Sequence, residues 1–119
     1  MSDPRNDFLL AFEGRKPVGY AMLREADPPF GVSGESPVEL ARIYLEEGVI
    51  GKGYGSALLT ACLDFAIQSG HDILWLGVWE KNERAIRFYE RTGFNRVGSL
   101  PFEFGDELHT DLLMARVTQ

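Results

Sequence analysis

The chain opens with alternating apolar and polar residues and changes to helical spacing in its middle. Residues 8–13 (FLLAFE) and 17–24 (PVGYAMLR) read as two strands joined by the turn Gly14-Arg15-Lys16, an antiparallel hairpin. Residues 27–37 are rich in Pro, Gly and Ser and predict a flexible loop that could border a substrate site. A third strand is expected over 38–45, where strict alternation would put Glu39, Ala41, Ile43 and Leu45 on one face. Then Gly55, Leu58, Leu59, Cys62, Leu63 and Ala66 recur at helical spacing, an apolar stripe that must pack on a sheet, before Ser69-Gly70 ends the helix. The nearly unbroken apolar run 73–78 (ILWLGV) is what a strand covered on both faces looks like, and strand, helix, strand implies a parallel crossover. Asn82 is placed to cap a second helix, with Ala85, Phe88, Tyr89 and Thr92 on one face and Gly93 stopping it. Residues 95–104 and 108–117 form a closing antiparallel pair around Gly105-Asp106. The fold class is α/β (α+β): a mixed, mostly antiparallel sheet with helices on its faces.

Composition narrows the function more than the fold. With 119 residues, 45% of them hydrophobic, the chain makes one domain over 1–119 with a real core and no room for a second. Residues 1–7 are polar and expected to be flexible; they lack the apolar segment of a secretory signal, which sets the expectation of a cytoplasmic protein. No apolar run is long enough for a helix to span a bilayer. The one cysteine, Cys62, falls on the inward face of the first helix and is read as an inert core residue; no Cys/His cluster offers a metal site. A net charge of -6 argues against a nucleic-acid partner and is compatible with a cationic substrate.

The stretch Ile50-Gly51-Lys52-Gly53-Tyr54-Gly55-Ser56 carries the first chemical signal. Alternating glycines let the backbone turn tightly and approach a ligand, and the N–H groups that open the following helix point outward at the positive end of its dipole. That suits a phosphate or pyrophosphate. The spacing is neither a Walker A loop, because Gly53 stands where Ser or Thr should follow Lys52, nor the G-x-G-x-x-G dinucleotide fingerprint. Glu39, a carboxylate among apolar neighbours, is either an edge residue turned to solvent or a proton acceptor lifted by partial burial. His71 and His109 are expected to be solvated, His109 beside Asp111, and the charged run from Lys81 to Arg91 to be a solvated helix face, with Arg84 or Arg87 able to reach a phosphate.

Taken together, these residues resemble the GCN5-related N-acetyltransferase (GNAT) family from about Phe8 to the end of the chain. The family's N-x-x-A-x-x-F-Y-x-x-x-G-F pattern is complete in Asn82, Ala85, Phe88, Tyr89, Gly93 and Phe94, and its glycine loop is present in Gly53 and Gly55, with Ile50 where Gln or Arg is usual. More narrowly, residues 75–82 and 105–114 look like bacterial spermidine/spermine N-acetyltransferases.

The resemblance implies an N-acetyltransferase that moves the acetyl group of acetyl-CoA to a primary amine, a polyamine among the candidates, without a metal. It places the pyrophosphate on the N–H groups of Gly51, Lys52, Gly53, Tyr54, Gly55 and Ser56. The pantetheine arm would run between Ile43, Tyr44 and Leu45 on one side and Asn82, Glu83 and Ala85 on the other. Tyr89 matches the general acid for the departing thiolate, and Glu39 the position of a base. A base is needed because an amine of pKa near 10.4 is neutral in only about 1 molecule in 2,500 at pH 7, a cost of about 4.6 kcal/mol. The family's usual first strand and two helices are missing, since this chain starts at the hairpin that follows them. The exposed sheet edge implies a homodimer. The rival reading is a non-catalytic acyl-CoA-binding or regulatory module.

Overall fold

In the computed structural model, which describes residues 6–119, six strands form one sheet in the order β1-β2-β3-β4-β6-β5. The strands are β1 (Asn6–Glu13), β2 (Lys16–Arg24), β3 (Pro37–Leu45), β4 (Ile73–Trp79), β5 (Asn95–Phe104) and β6 (Glu107–Val117); the helices are α1 (Tyr54–Gln68) and α2 (Glu83–Arg91). Of the residues expected to be flexible, 1–5 lie outside the described residues, whereas Asn6 and Asp7 already pair with Arg24 and Leu23. All neighbouring strands are antiparallel except β3 and β4, joined by the crossover through α1.

Both helices cover one face of the sheet. Their core joins Leu58, Leu59, Cys62 and Ala66 of α1 and Ile86 and Tyr89 of α2 to Leu23, Leu40, Leu74, Leu76 and Met114 of the strands. Glycine turns at positive φ follow each helix, at Gly70 (+86°) and Gly93 (+98°), where a side chain would be strained. The opposite face holds a smaller cluster of Trp75, Leu113 and Ala115.

β3 does not keep the strict alternation its sequence suggests. The register on β2 runs from Met22↔Arg42 to Leu23↔Leu40, so Ala41 is an extra residue, a β-bulge that reverses the parity of the strand. Val38 and Leu40 before it and Ile43 and Leu45 after it therefore all pack toward the helices. Contrary to the expectation that it shares a face with Ile43 and Leu45, Glu39 lies on the opposite face beside Arg24, its cross-strand partner.

The Pro/Gly/Ser-rich loop between β2 and β3 is tied down rather than free. Asp72 accepts the N–H groups of Glu35 (2.8 Å) and Ser36 (2.9 Å), and these bonds hold its carboxyl below the usual range. His71 is not solvated: only 10% of its side chain is exposed, and its Nδ1 sits 3.1 Å from the Ser36 carbonyl. Val32 of the same loop packs against the Trp75 cluster.

Candidate active site

The parallel pairing of β3 and β4 stops after three residue pairs, Pro37↔Ile73, Val38↔Leu74 and Glu39↔Trp75. Beyond Glu39 the bulge carries β3 away, and the two strands splay. A cavity of about 330 Å³ opens in the split, lined among others by Tyr20, Arg42, Ile43, Tyr44, Gly77 and Tyr89. On the helix side a groove of about 690 Å³ runs from the glycine loop to α2.

The loop that begins this groove leaves its donors free. Gly51 (φ +88°) and Gly53 (φ +90°) adopt left-handed conformations, with open space where a Cβ would stand. The N–H of Lys52 is used by Val49, and that of Ala57 bonds back to Gly53. The N–H groups of Gly51, Gly53, Tyr54, Gly55 and Ser56 donate to no backbone carbonyl among the described residues. Five unspent donors at a helix N-terminus are an arrangement suited to an anion.

Most of the residues picked from the sequence meet around this groove: Ile43, Leu45, Gly51, Gly53, Gly55, Ser56, Asn82, Ala85 and Tyr89 line it. Asn82 is held there by capping α2, its Oδ1 accepting the Ala85 N–H at 3.2 Å. Others point elsewhere. The side chains of Lys52 and Tyr54 turn to Glu13, Glu83 pairs with Arg87 at 3.6 Å, and Tyr44 lines the split. Arg84, Arg87 and Arg91 bring positive charge to the groove wall, Arg91 standing 6.0 Å above the Phe88 ring. Arg91 was not singled out by sequence, although its spacing of four from Arg87 puts both on one helix face.

Tyr89 lines the groove and the split alike. Its ring is wedged edge-on between Phe88 (5.4 Å) and Phe94 (5.5 Å). Burial, reinforced by Cys62, pushes the phenol up to about 12, because a phenolate has neither water nor a cation to stabilise it there. Glu39 stands at the closed end of the split, its side chain 14% exposed, with the Arg24 guanidinium donating twice to Oε1 at 2.8 and 3.0 Å. It does not line the cavity itself. His109 is not part of a surface pair with Asp111; its Nε2 lies 3.2 Å from Glu107, and its ring meets Trp79 and Phe102.

Comparison with known proteins identifies the family. The model of the Acetyltransferase (GNAT) family matches residues 1–94. The chain belongs to the GNAT family. A GNAT relative, an uncharacterized N-acetyltransferase of Mycobacterium tuberculosis, is 39% identical over 98% of this chain and 70% of its own length. Two solved GNAT structures share the fold. The ribosomal-protein-S18-alanine N-acetyltransferase of Escherichia coli has a TM-score of 0.77 at 23% identity, covering 98% of this chain and 72% of the other. The PaiA N-acetyltransferase of Thermoplasma acidophilum, in complex with coenzyme A, has a TM-score of 0.72 at 23% identity, covering 94% and 60%. The domain is thus an acetyl-CoA-dependent acyltransferase of the GNAT type. No helix among the described residues is long and apolar enough to cross a membrane.

Proposed function

We propose that this domain acetylates the primary amine of a small cationic acceptor in the cytoplasm, by direct attack of the amine on acetyl-CoA. The observation that carries the reading is the position of Tyr89, whose ring lines both the groove that fits the cofactor and the split that opens toward the other face. Acetyl-CoA supplies an activated acetyl group, held by the five unspent N–H donors and by Ile43, Leu45, Asn82 and Ala85. Tyr89 gives its proton to the departing sulfur, and the phenol is protonated throughout the neutral range because of its burial. Glu39 collects the amine's proton through water from the closed end of the split; Arg24 fixes its Oε1, while Oε2 accepts no hydrogen bond among the described residues.

Polyamines remain in the acceptor class, and the name of the E. coli neighbour adds a peptide with a free N-terminal alanine to the panel. Titrating acetyl-CoA calorimetrically, with thiol release followed on spermidine, a simple alkylamine and such a peptide, tests the whole reading. Binding with release on any of them supports it; binding with none favours a cofactor-binding module, and no binding overturns both.

Ile50 lines the groove half-exposed where the family pattern has Gln or Arg. Ile50→Arg is expected to tighten acetyl-CoA about tenfold, the value of one added charge-assisted hydrogen bond to phosphate, and an unchanged Kd would remove Ile50 from the binding account. The outer edge of β1 is unpaired among the described residues, and Phe8, Leu10 and Phe12 are exposed along it. A homodimer that covers this edge is part of the proposal, and a monomer in sedimentation equilibrium at assay concentration would remove it.

A further inference from the structure

The sheet face turned away from the helices carries a second set of groups that the acetyl-transfer steps do not use. Asp111 on β6 stands directly across from Trp79 on β4. Two residues before Trp79, β4 has Gly77, and a Cβ built there would come within 3.4 Å of the Asp111 Oδ2. The carboxylate therefore leans over the space that Gly77 leaves empty. Gly77 is also one of the walls of the split, which Tyr89 lines too; Asp111 does not line the split itself but touches it through the Gly77 position.

Asp111 makes no ion pair and accepts no side-chain hydrogen bond among the described residues, unlike Glu39, Asp72 and Glu90, which all have partners. It is half-buried, and that burial raises its carboxyl. The neighbouring side chains are aromatic. His109 stacks on Phe102 at 5.3 Å and meets the edge of Trp79 at 5.7 Å, while Trp79 stays 43% exposed. A half-buried carboxylate without a cation, flanked by exposed ring faces, is the chemistry that binds an alkylammonium: the carboxylate pairs the charge, and the rings take the cation's outer side and its apolar stem.

We infer that Asp111 holds the positive charge of the acceptor amine, with Trp79 and His109 as the wall beside it, and so selects cationic acceptors at the mouth of the split. This rests on the acetyltransferase reading and names the acceptor side of the same site. Asp111 is a binding and selecting residue; Tyr89 and Glu39 keep the proton transfers.

The test uses Trp79 as an intrinsic reporter. Phenethylamine, protonated at neutral pH, and the uncharged phenethyl alcohol are titrated into the whole chain while tryptophan fluorescence is followed, with Trp79→Phe identifying which part of the signal is local. Wild type is expected to prefer the amine, and Asp111→Asn to weaken the amine about tenfold or more while leaving the alcohol unchanged, as loss of one charge-assisted contact requires. Gly77→Val, which fills the gap beside the carboxylate, is expected to weaken both. Equal binding of amine and alcohol to wild type, or amine binding unchanged in Asp111→Asn, overturns the inference, as does the absence of any Trp79 response. Acetyl-CoA affinity measured calorimetrically on Asp111→Asn stays at the wild-type value. Loss of cofactor binding in wild type itself would instead count against the acetyltransferase reading and leave the amine comparison to decide Asp111.

Discussion

Tyr89→Phe is expected to lower kcat by about 10²- to 10³-fold while acetyl-CoA binds as in wild type, because general-acid transfer contributes about that much and the substitution removes only the proton donor. The ring can stay where it is. Phe88 and Phe94 pack against its faces and edges, and the hydroxyl has no hydrogen-bond partner among the described residues that a phenylalanine would orphan. The proton transfer is demanding. From a phenol near 12 to a thiolate near 8.5 it runs uphill by about 5 kcal/mol as an isolated step. Two features would reduce that: a thiolate formed in the same poorly solvated junction would have a raised affinity for the proton, and transfer could proceed as the carbon–sulfur bond breaks. Because Tyr89 keeps its proton to about pH 12, the rate is not expected to fall on the alkaline side through its ionisation. Single-turnover and steady-state rates on both proteins check this, and a Tyr89→Phe enzyme with full turnover would remove the residue from the chemistry.

Alkaline solution is expected to destabilise the domain strongly, with Cys62 as the main source. Its thiol is fully buried under α1, and burial pushes it from 9.0 to about 12. Folded, the thiol holds its proton to about pH 12; unfolded, it releases it near 9. The unfolded state therefore loses protons first, and stability is complete below pH 9 and falls as pH rises through the window to 12. At pH 11, two units above the unfolded value, the loss from Cys62 alone is about 3 kcal/mol. Tyr89 adds a smaller loss over pH 10 to 12, in the same direction. Denaturant midpoints of wild type and Cys62→Ala between pH 7 and 11 isolate the cysteine. The variant starts lower by about 1 kcal/mol, from the small cavity, and then loses less than wild type above pH 9. Parallel curves over that range would show that the thiol is not held protonated by the fold.

The elements of this fold were largely legible because each announces itself locally. The six strands and two helices fall within one or two residues of the positions expected from periodicity and turn residues, and the family motif around Tyr89 pointed to the same helix that the structure puts against the split. The glycine loop was readable for the same reason, since its shape lies in a backbone conformation that only glycine adopts easily. Glu39 shows where local reading stops. Its alternation with Ile43 and Leu45 holds only if the strand is regular, and the bulge at Ala41 is set by pairing with β2, a segment some twenty residues away. His71 reads as a loop residue after a helix, yet the Ser36 backbone and Glu25 close over it from the other side of the crossover. Gly77, alone in an apolar strand, was a signal that could have been used, since an isolated strand glycine often marks close approach by a neighbour.

By itself the sequence determined the order and type of the elements, the tight turning of the glycine loop and the choice of Tyr89, which lines the groove, because these depend on hydrophobic period, φ preference and spacing within single segments. Only the tertiary structure decided how far β3 and β4 stay paired, on which face Glu39 lies, and that Asp111 fills the gap at Gly77, because register and side-chain partners arise from packing between segments distant in the chain.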